Sequence, residues 1–143
     1  MTPAAGYSGT PLPQKLGLKD GQRVLFIALP KELKDLRKSR HFVEIAEAGW
    51  ESFADGDSGY DVIHGFTSSR VVLEKAAKPL MEEIDRNGSI WISWPKKASK
   101  VATDITEDVI REVVLPIGLV DVKVAAVNDV WSGLKLVIRK ELR

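Results

Sequence analysis

The stretch Ser89–Val114, SIWISWPKKASKVATDITEDVIREVV, constrains the chain most. It opens with a short apolar run, Ile90-Trp91-Ile92-Ser93-Trp94, rich in β-branched and aromatic residues, which reads as a buried strand. Pro95 stops it, because proline cannot donate to a sheet ladder. A cationic loop follows, Lys96-Lys97-Ala98-Ser99-Lys100. Asp104 or Thr106 can then cap a helix, with Glu107 three residues after Asp104 as in a capping box. Strand, basic loop and helix N-terminus follow one another, and in open α/β sheets ligands collect at the carboxyl ends of strands.

The remaining elements fit that unit. Arg23–Leu29, RVLFIAL, is a near-continuous apolar run, as a strand covered on both faces requires. Pro30 opens a short helix over Lys31–Ser39, and Phe42–Ala46 is a weaker strand. Gly49–Gly59 reads as loop with one helical turn around Trp50–Phe53. Tyr60–Phe66, YDVIHGF, is a strand, and Thr67-Ser68-Ser69 caps a helix reaching about Arg86. Leu73, Ala77, Leu80 and Ile84 share one face of that helix, Pro79 sits inside it, and Asn87-Gly88 is placed to end it. A second long helix spans about Ile105–Pro116. Val120–Val127 and Gly133–Arg139 both alternate around Asn128-Asp129, which predicts an antiparallel hairpin. The expectation is an arm and lead-in turn over residues 1–22, then a single α/β domain over 23–143. That domain is a three-layer, mostly parallel sheet with a C-terminal hairpin. Arg23–Leu29, Tyr60–Phe66 and Ser89–Trp94 should be parallel neighbours, because right-handed crossovers join them.

Composition removes several chemistries. The 143 residues contain no cysteine, so disulfides, thiolate catalysis and sulfur-ligated zinc are absent. His41 and His64 are the only histidines, and no metal-ligand spacing accompanies them, so no metal is expected. A net charge of +1 gives no global field to recruit nucleic acid, which is not expected as a partner. No apolar run is long enough to span a bilayer, and the first residues lack a basic-then-apolar leader; the expected location is the cytoplasm.

Lys96, Lys97, Ser99 and Lys100 are candidate contacts for an anionic small molecule, with Thr67, Ser68 and Ser69 lining the same crevice from the neighbouring strand end. The plain alternatives are a solvated basic turn and ordinary caps. His64 is either a general base or, as is commoner, a satisfied core histidine. Trp91, Trp94 and Trp131 could form an aromatic wall, though such residues more often fill a core. The cluster from Lys31 to Arg40 reads as an exposed basic helix face.

The element order, with YDVIHGF, MEEIDRNGSIWISWP and GLVDVKVAAVNDVWSGLKLVIRK standing as fourth strand, helix-turn-fifth strand and closing hairpin, resembles the second half of class I S-adenosylmethionine-dependent methyltransferases. That resemblance implies a Rossmann-like sheet. In that superfamily a Gly-rich turn after the first strand lets the backbone approach the cofactor. Here the first strand ends Ile27-Ala28-Leu29-Pro30-Lys31-Glu32, and the short interval before YDVIHGF leaves out at least one strand–helix unit. No cofactor is therefore expected, S-adenosylmethionine included. Over nearly the whole chain, YSGTPLPQKLGL, WPKKASKVATDITEDVIRE and GLVDVKVAAVNDVWSGLKLV also resemble a small bacterial family of proteins that carries no known activity. The reading that follows is a non-catalytic ligand-binding or interaction module. The alternative is an enzyme of methyltransferase-like fold with an atypical S-adenosylmethionine site.

Overall fold

A computed structural model describes residues 9–55 and 58–143; of the arm and lead-in turn expected over residues 1–22, the first eight residues lie outside them. Six strands form one sheet: β1 (Arg23–Ile27), β2 (Glu44–Ala48), β3 (Tyr60–Phe66), β4 (Ile84–Pro95), β5 (Leu119–Ala126) and β6 (Trp131–Ile138). Their spatial order is β2-β1-β3-β4-β6-β5. β2, β1, β3 and β4 are parallel, and β6 runs antiparallel to both β4 and β5. The three apolar runs are thus parallel neighbours at the centre, and the chain closes in the expected hairpin.

The centre is buried on both faces because its residues are apolar at both parities. Leu25, Ile27, Ile63, Ile90, Ile92 and Trp94 meet α2 (Arg70–Glu83) and α3 (Glu107–Val114) through Leu73, Leu80, Ile110 and Val114. On the other face Val24, Phe26, Val62, Phe66 and Trp91 meet Leu33 and Leu36 of a 3-10 segment, Lys31–Lys38, and the lead-in residues Leu16 and Leu18. The lead-in includes one helical turn, α1 (Leu12–Lys15), and it is tied down: the fully buried Trp91 donates its indole N–H to the carbonyl of Leu16 at 3.0 Å. No helix among the described residues is long and apolar enough to cross a membrane.

Several boundaries differ from expectation. Lys31–Lys38 is 3-10 rather than α-helical, since its two apolar residues, three apart, line up on a three-residue turn. The weak strand begins at Glu44, not Phe42. α2 ends at Glu83, and Asn87-Gly88 is not a helix cap. It belongs to a bulge in β4, where Ile84 pairs with Tyr60 and Ser89 with Val62. A Cβ on Gly88 would sit 2.8 Å from the Asp61 carbonyl, so glycine is there for close backbone approach. The long C-terminal helix is shorter than expected: α3 covers Glu107–Val114, and a 3-10 turn, Leu115–Ile117, carries Pro116. In β5 the register shifts between Asp121 and Lys123, and Val122 and Val124 are exposed, as a bulged edge strand allows.

Because Leu16 is 1% exposed against the sheet, Leu16→Ala should destabilise the protein by about 2–5 kcal/mol. Urea unfolding measures this, and a change below about 0.5 kcal/mol, the scatter of surface substitutions, would remove the lead-in from the core.

Candidate functional site

The parallel strands end on one rim. Around it lie Ala28–Pro30 after β1, Gly49–Trp50 after β2, Thr67–Ser69 after β3 and Lys96–Lys100 after β4. The loops after β3 and β4 meet: the Thr67 N–H donates to the Ser93 carbonyl at 3.0 Å, and the Asp104 N–H donates to the Ser68 carbonyl at 3.3 Å.

Most of the donors expected to face an anion are engaged internally. The Ser69 N–H donates to Thr67 Oγ1, the Val72 N–H to Ser69 Oγ, and the Arg70 N–H to Asp104 Oδ1 at 2.7 Å. Asp104 thus places a carboxylate on the first turn of α2, where a helix N-terminus favours negative charge. Sequence offered Asp104 or Thr106 as the cap of α3. Thr106 takes that role, accepting from the Val109 N–H, and Asp104 serves the neighbouring helix. Ser99 shapes its own loop, donating to the Lys96 carbonyl at 2.6 Å and accepting from the Val101 N–H. Lys100 turns the chain with φ 63°; Lys97 and Lys100 are exposed and Lys96 is half-buried.

The other half of the rim is occupied by a residue that sequence left in a loop. Trp50, two residues beyond β2, donates its indole N–H to the Phe66 carbonyl at 2.8 Å, at the end of β3. In the sheet β1 lies between those strands, so this bond spans β1. It rests on Gly65, where a Cβ would come within 2.4 Å of the ring, and meets Phe53 edge-on at 5.9 Å. A glycine inside a strand is the sequence signal for such close approach, and Gly65 in YDVIHGF could have given it. Ala28, the residue after β1, is exposed and holds φ 56°, a conformation ordinarily left to glycine, and donates its N–H to the Ala48 carbonyl.

His64 lies on the lead-in face of the sheet, fully buried and stacked on Phe66 at 4.2 Å, with Nε2 2.7 Å from Ser93 Oγ. Burial pushes its pKa down from 6.5 to about 3. The imidazole is neutral, paired and sealed off, which is the core-histidine reading; sequence could not name Ser93 as its partner. The tryptophans do not form one wall. Trp91 and Trp94 are an odd number apart on one strand and point to opposite faces, while Trp131 packs edge-on against Phe66 at 5.3 Å. The basic 3-10 segment is partly compensated, with Lys34 and Arg37 both 2.8 Å from Glu47. Arg40 donates to the Leu18 and Ser39 carbonyls. Among the described residues no three metal-ligating side chains cluster.

At the far corner of the rim, Lys15 Nζ donates to the Ala126 carbonyl at 3.2 Å and Lys123 Nζ to the Lys15 carbonyl at 3.3 Å. Burial, then the ammoniums of Lys123 and Lys96, lower the pKa of Lys15.

The fold is that of the class I methyltransferases. An S-adenosylmethionine-dependent methyltransferase from Aquifex aeolicus superposes with a TM-score of 0.66 at 16% identity, over 87% of this chain and 86% of that one. Aeropyrum pernix fibrillarin, solved with natively bound S-adenosyl-L-methionine, gives 0.51 at 13% identity, covering 88% and 73%. TrmN from Thermus thermophilus gives 0.58 at 10%, over 89% of this chain but only 47% of its own. No family model matches the sequence, and no curated protein does. At such identities the likeness is one of fold.

His64 links stability to pH. Unfolded, the imidazole takes up a proton below about 6.5; folded, it does so only near pH 3. This contribution is complete above pH 6.5 and is lost progressively as pH falls toward 3, by at most about 1.4 kcal/mol per unit. Urea unfolding at pH 7 and pH 4.5 should reveal the loss, and His64→Gln should reduce the pH dependence over that window. An unchanged slope in the variant would assign the acid sensitivity to other groups.

Proposed function

We propose that this chain is a methyltransferase-fold protein that works by binding, not by methyl transfer. The observation that carries this reading is Trp50, whose indole bonds the Phe66 carbonyl and lies on Gly65 of β3, next to the strand whose following turn, Gly-rich in the superfamily, would admit the cofactor. Two further features agree with it. Ala28-Leu29-Pro30 adds a Cβ and a proline ring to the same turn, and Leu29 is buried beneath the rim. Opening the crevice would mean breaking the hydrogen bond from Trp50 to Phe66 and lifting the ring off Gly65.

A second reading, an enzyme with an atypical S-adenosylmethionine site, has its own support. Solved proteins of this fold include S-adenosylmethionine-dependent methyltransferases and one with that molecule bound, so fold likeness by itself favours an enzyme. The two readings differ over the state of the crevice in solution.

Titration calorimetry of S-adenosylmethionine and S-adenosylhomocysteine into the wild-type protein separates them. We expect no saturable heat with a micromolar dissociation constant; such a constant for either compound would overturn the binding-module reading in favour of the enzyme. The plug itself should be structural. Trp50→Ala removes a half-buried ring and its hydrogen bond, and is expected to cost on the order of 3 kcal/mol in chemical unfolding. A neutral substitution would mean that the indole is not held in place.

A further inference from the structure

The sheet has two edges, β2 and β5, and the chain treats them differently. β5 is defended. Its register shifts between Asp121 and Lys123, and the lead-in crosses its carboxyl end, where Lys15 donates to the Ala126 carbonyl and Lys123 to the Lys15 carbonyl. A bulge and a covering segment both keep an edge from pairing with another chain. β2, Glu44-Ile45-Ala46-Glu47-Ala48, has no bulge, proline or glycine, and pairs with β1 in unbroken register. Its two charges are already neutralised: Glu44 lies 2.8 Å from Arg23, and Glu47 lies 2.8 Å from both Lys34 and Arg37. Beside them Ile45 is 43% exposed, and Val43, just before the strand, is 75% exposed.

The backbone of β2 has unused hydrogen-bonding groups on its outer side. The Glu44 N–H donates to the Gln22 carbonyl at 3.5 Å, and the Ala48 carbonyl accepts from the Ala28 N–H at 2.9 Å, so the even-numbered residues face β1. Successive residues of a strand direct their backbone groups to opposite sides. Ile45 and Glu47 therefore point theirs away from the sheet, and among the described residues nothing bonds them there. Two copies in antiparallel register can satisfy these groups. A two-fold axis perpendicular to the sheet keeps each side chain on its own face, so only residues of equal parity pair. Glu44 and Glu47 are of unlike parity and never oppose one another. Centred on Ile45, the register sets Ile45 against its own copy as a hydrogen-bonded pair, Glu44 against Ala46, and Glu47 against Val43. Centred on Ala46, it would set the apolar Ile45 against the charged Glu47. The flanks add charge complementarity. Lys38, Arg40 and His41 precede β2, while Glu51 and Asp55 follow it, and antiparallel pairing brings the basic flank of one copy to the acidic flank of the other.

We propose that β2 is a homodimer interface, at which two copies of this chain join edge to edge, antiparallel about Ile45, into one continuous sheet. A strand of five residues with its flanks makes an interface at the small end of those that form specific complexes, so a dissociation constant on the order of tens of micromolar is expected. Dimerisation here does not depend on whether the crevice admits S-adenosylmethionine.

Sedimentation equilibrium of the full chain from micromolar to millimolar concentration, with amide hydrogen exchange at both ends of that range, tests it. The expected result is a reversible monomer–dimer equilibrium in which the Ile45 and Glu47 amides gain protection as the dimer forms. Ile45→Lys sets like charges opposite each other at the axis and should weaken the dimer about ten-fold or more. Ile45→Pro removes the outward N–H, which β1 does not use, so it spares the ladder within the chain and should weaken the dimer likewise. Val122→Lys, on the opposite edge, should change the dissociation constant less than about two-fold. A chain that stays monomeric up to millimolar concentration overturns the proposal and leaves the edge to a different partner or to solvent. A dimer indifferent to both Ile45 variants has its interface elsewhere, and overturns it too. Weakening by Ile45→Lys but not by Ile45→Pro would mean apolar contact without strand pairing, and equal weakening by Val122→Lys would mean a general effect of charge; either result rejects the β2 pairing.

Discussion

Burial of β4 on both faces is the constraint on which the rest of the molecule depends. Ile90, Trp91 and Ile92 are wholly inaccessible, and a strand in that condition must be flanked by strands and covered twice. The chain meets the demand on one face with α2 and α3. On the other it uses short pieces, the lead-in and the 3-10 segment, in place of long helices. Trp91 explains why such light cover suffices. Its ring fills much of the space that a helix would otherwise take, and its N–H finds the Leu16 carbonyl, so the indole is buried without an unmet donor. Gly133 completes the fit, since a Cβ there would press on Ser93 Oγ and Trp91 at 3.0 and 3.1 Å.

The same face explains His64. A polar side chain among Val62, Phe66 and Trp91 is tolerated only if it is neutral and hydrogen-bonded, and Ser93 on the neighbouring strand supplies the partner. Parity made this pairing possible: Phe66 lies beside Ser93 and His64 beside Trp91, so all four side chains share one side of the sheet. The pair resembles a catalytic dyad only by residue type. Its burial denies it a substrate.

Much of this architecture was legible in the sequence, for a reason that also marks where legibility ended. The central strands are nearly continuous apolar runs, so Tyr60–Phe66 is found at its observed bounds, and Arg23–Ile27 within two residues of them. β2 is an edge strand, Glu44-Ile45-Ala46-Glu47-Ala48, whose residues are half-buried or exposed in turn, and its bounds were misplaced by two residues because half-exposed strands carry little apolar signal. β4 begins earlier than expected because Asp85–Gly88 is polar, and a bulge hides a strand from periodicity. At the rim, the chain after β4 meets the loop after β3 through Thr103 and Asp104, which both donate to the Ser68 carbonyl. That Asp104 would occupy the first turn of α2 was not readable, because a cap supplied from a different loop is a tertiary fact. Lys15 and Lys123, 108 residues apart, carry no local signal of their meeting.

The closure proposed for the crevice has a physical logic of its own. A glycine-rich turn leaves bare backbone at a strand end, and a bound cofactor covers it. With nothing bound there, the end of β3 would expose the Phe66 carbonyl beside the bare backbone of Gly65. Trp50 addresses both: its ring covers Gly65 and its N–H satisfies the Phe66 carbonyl. Ala28, after β1, holds a left-handed φ although it carries a side chain. Such a φ costs an L-residue about 1–2 kcal/mol, and persists only where its surroundings fix it. Here the Ala28 N–H bond to Ala48 provides that restraint, two residues before Trp50. The Ala28 bond to Ala48 and the Trp50 bond to Phe66 therefore tie the ends of β1 and β3 to the chain leaving β2, the first by backbone and the second by a side chain.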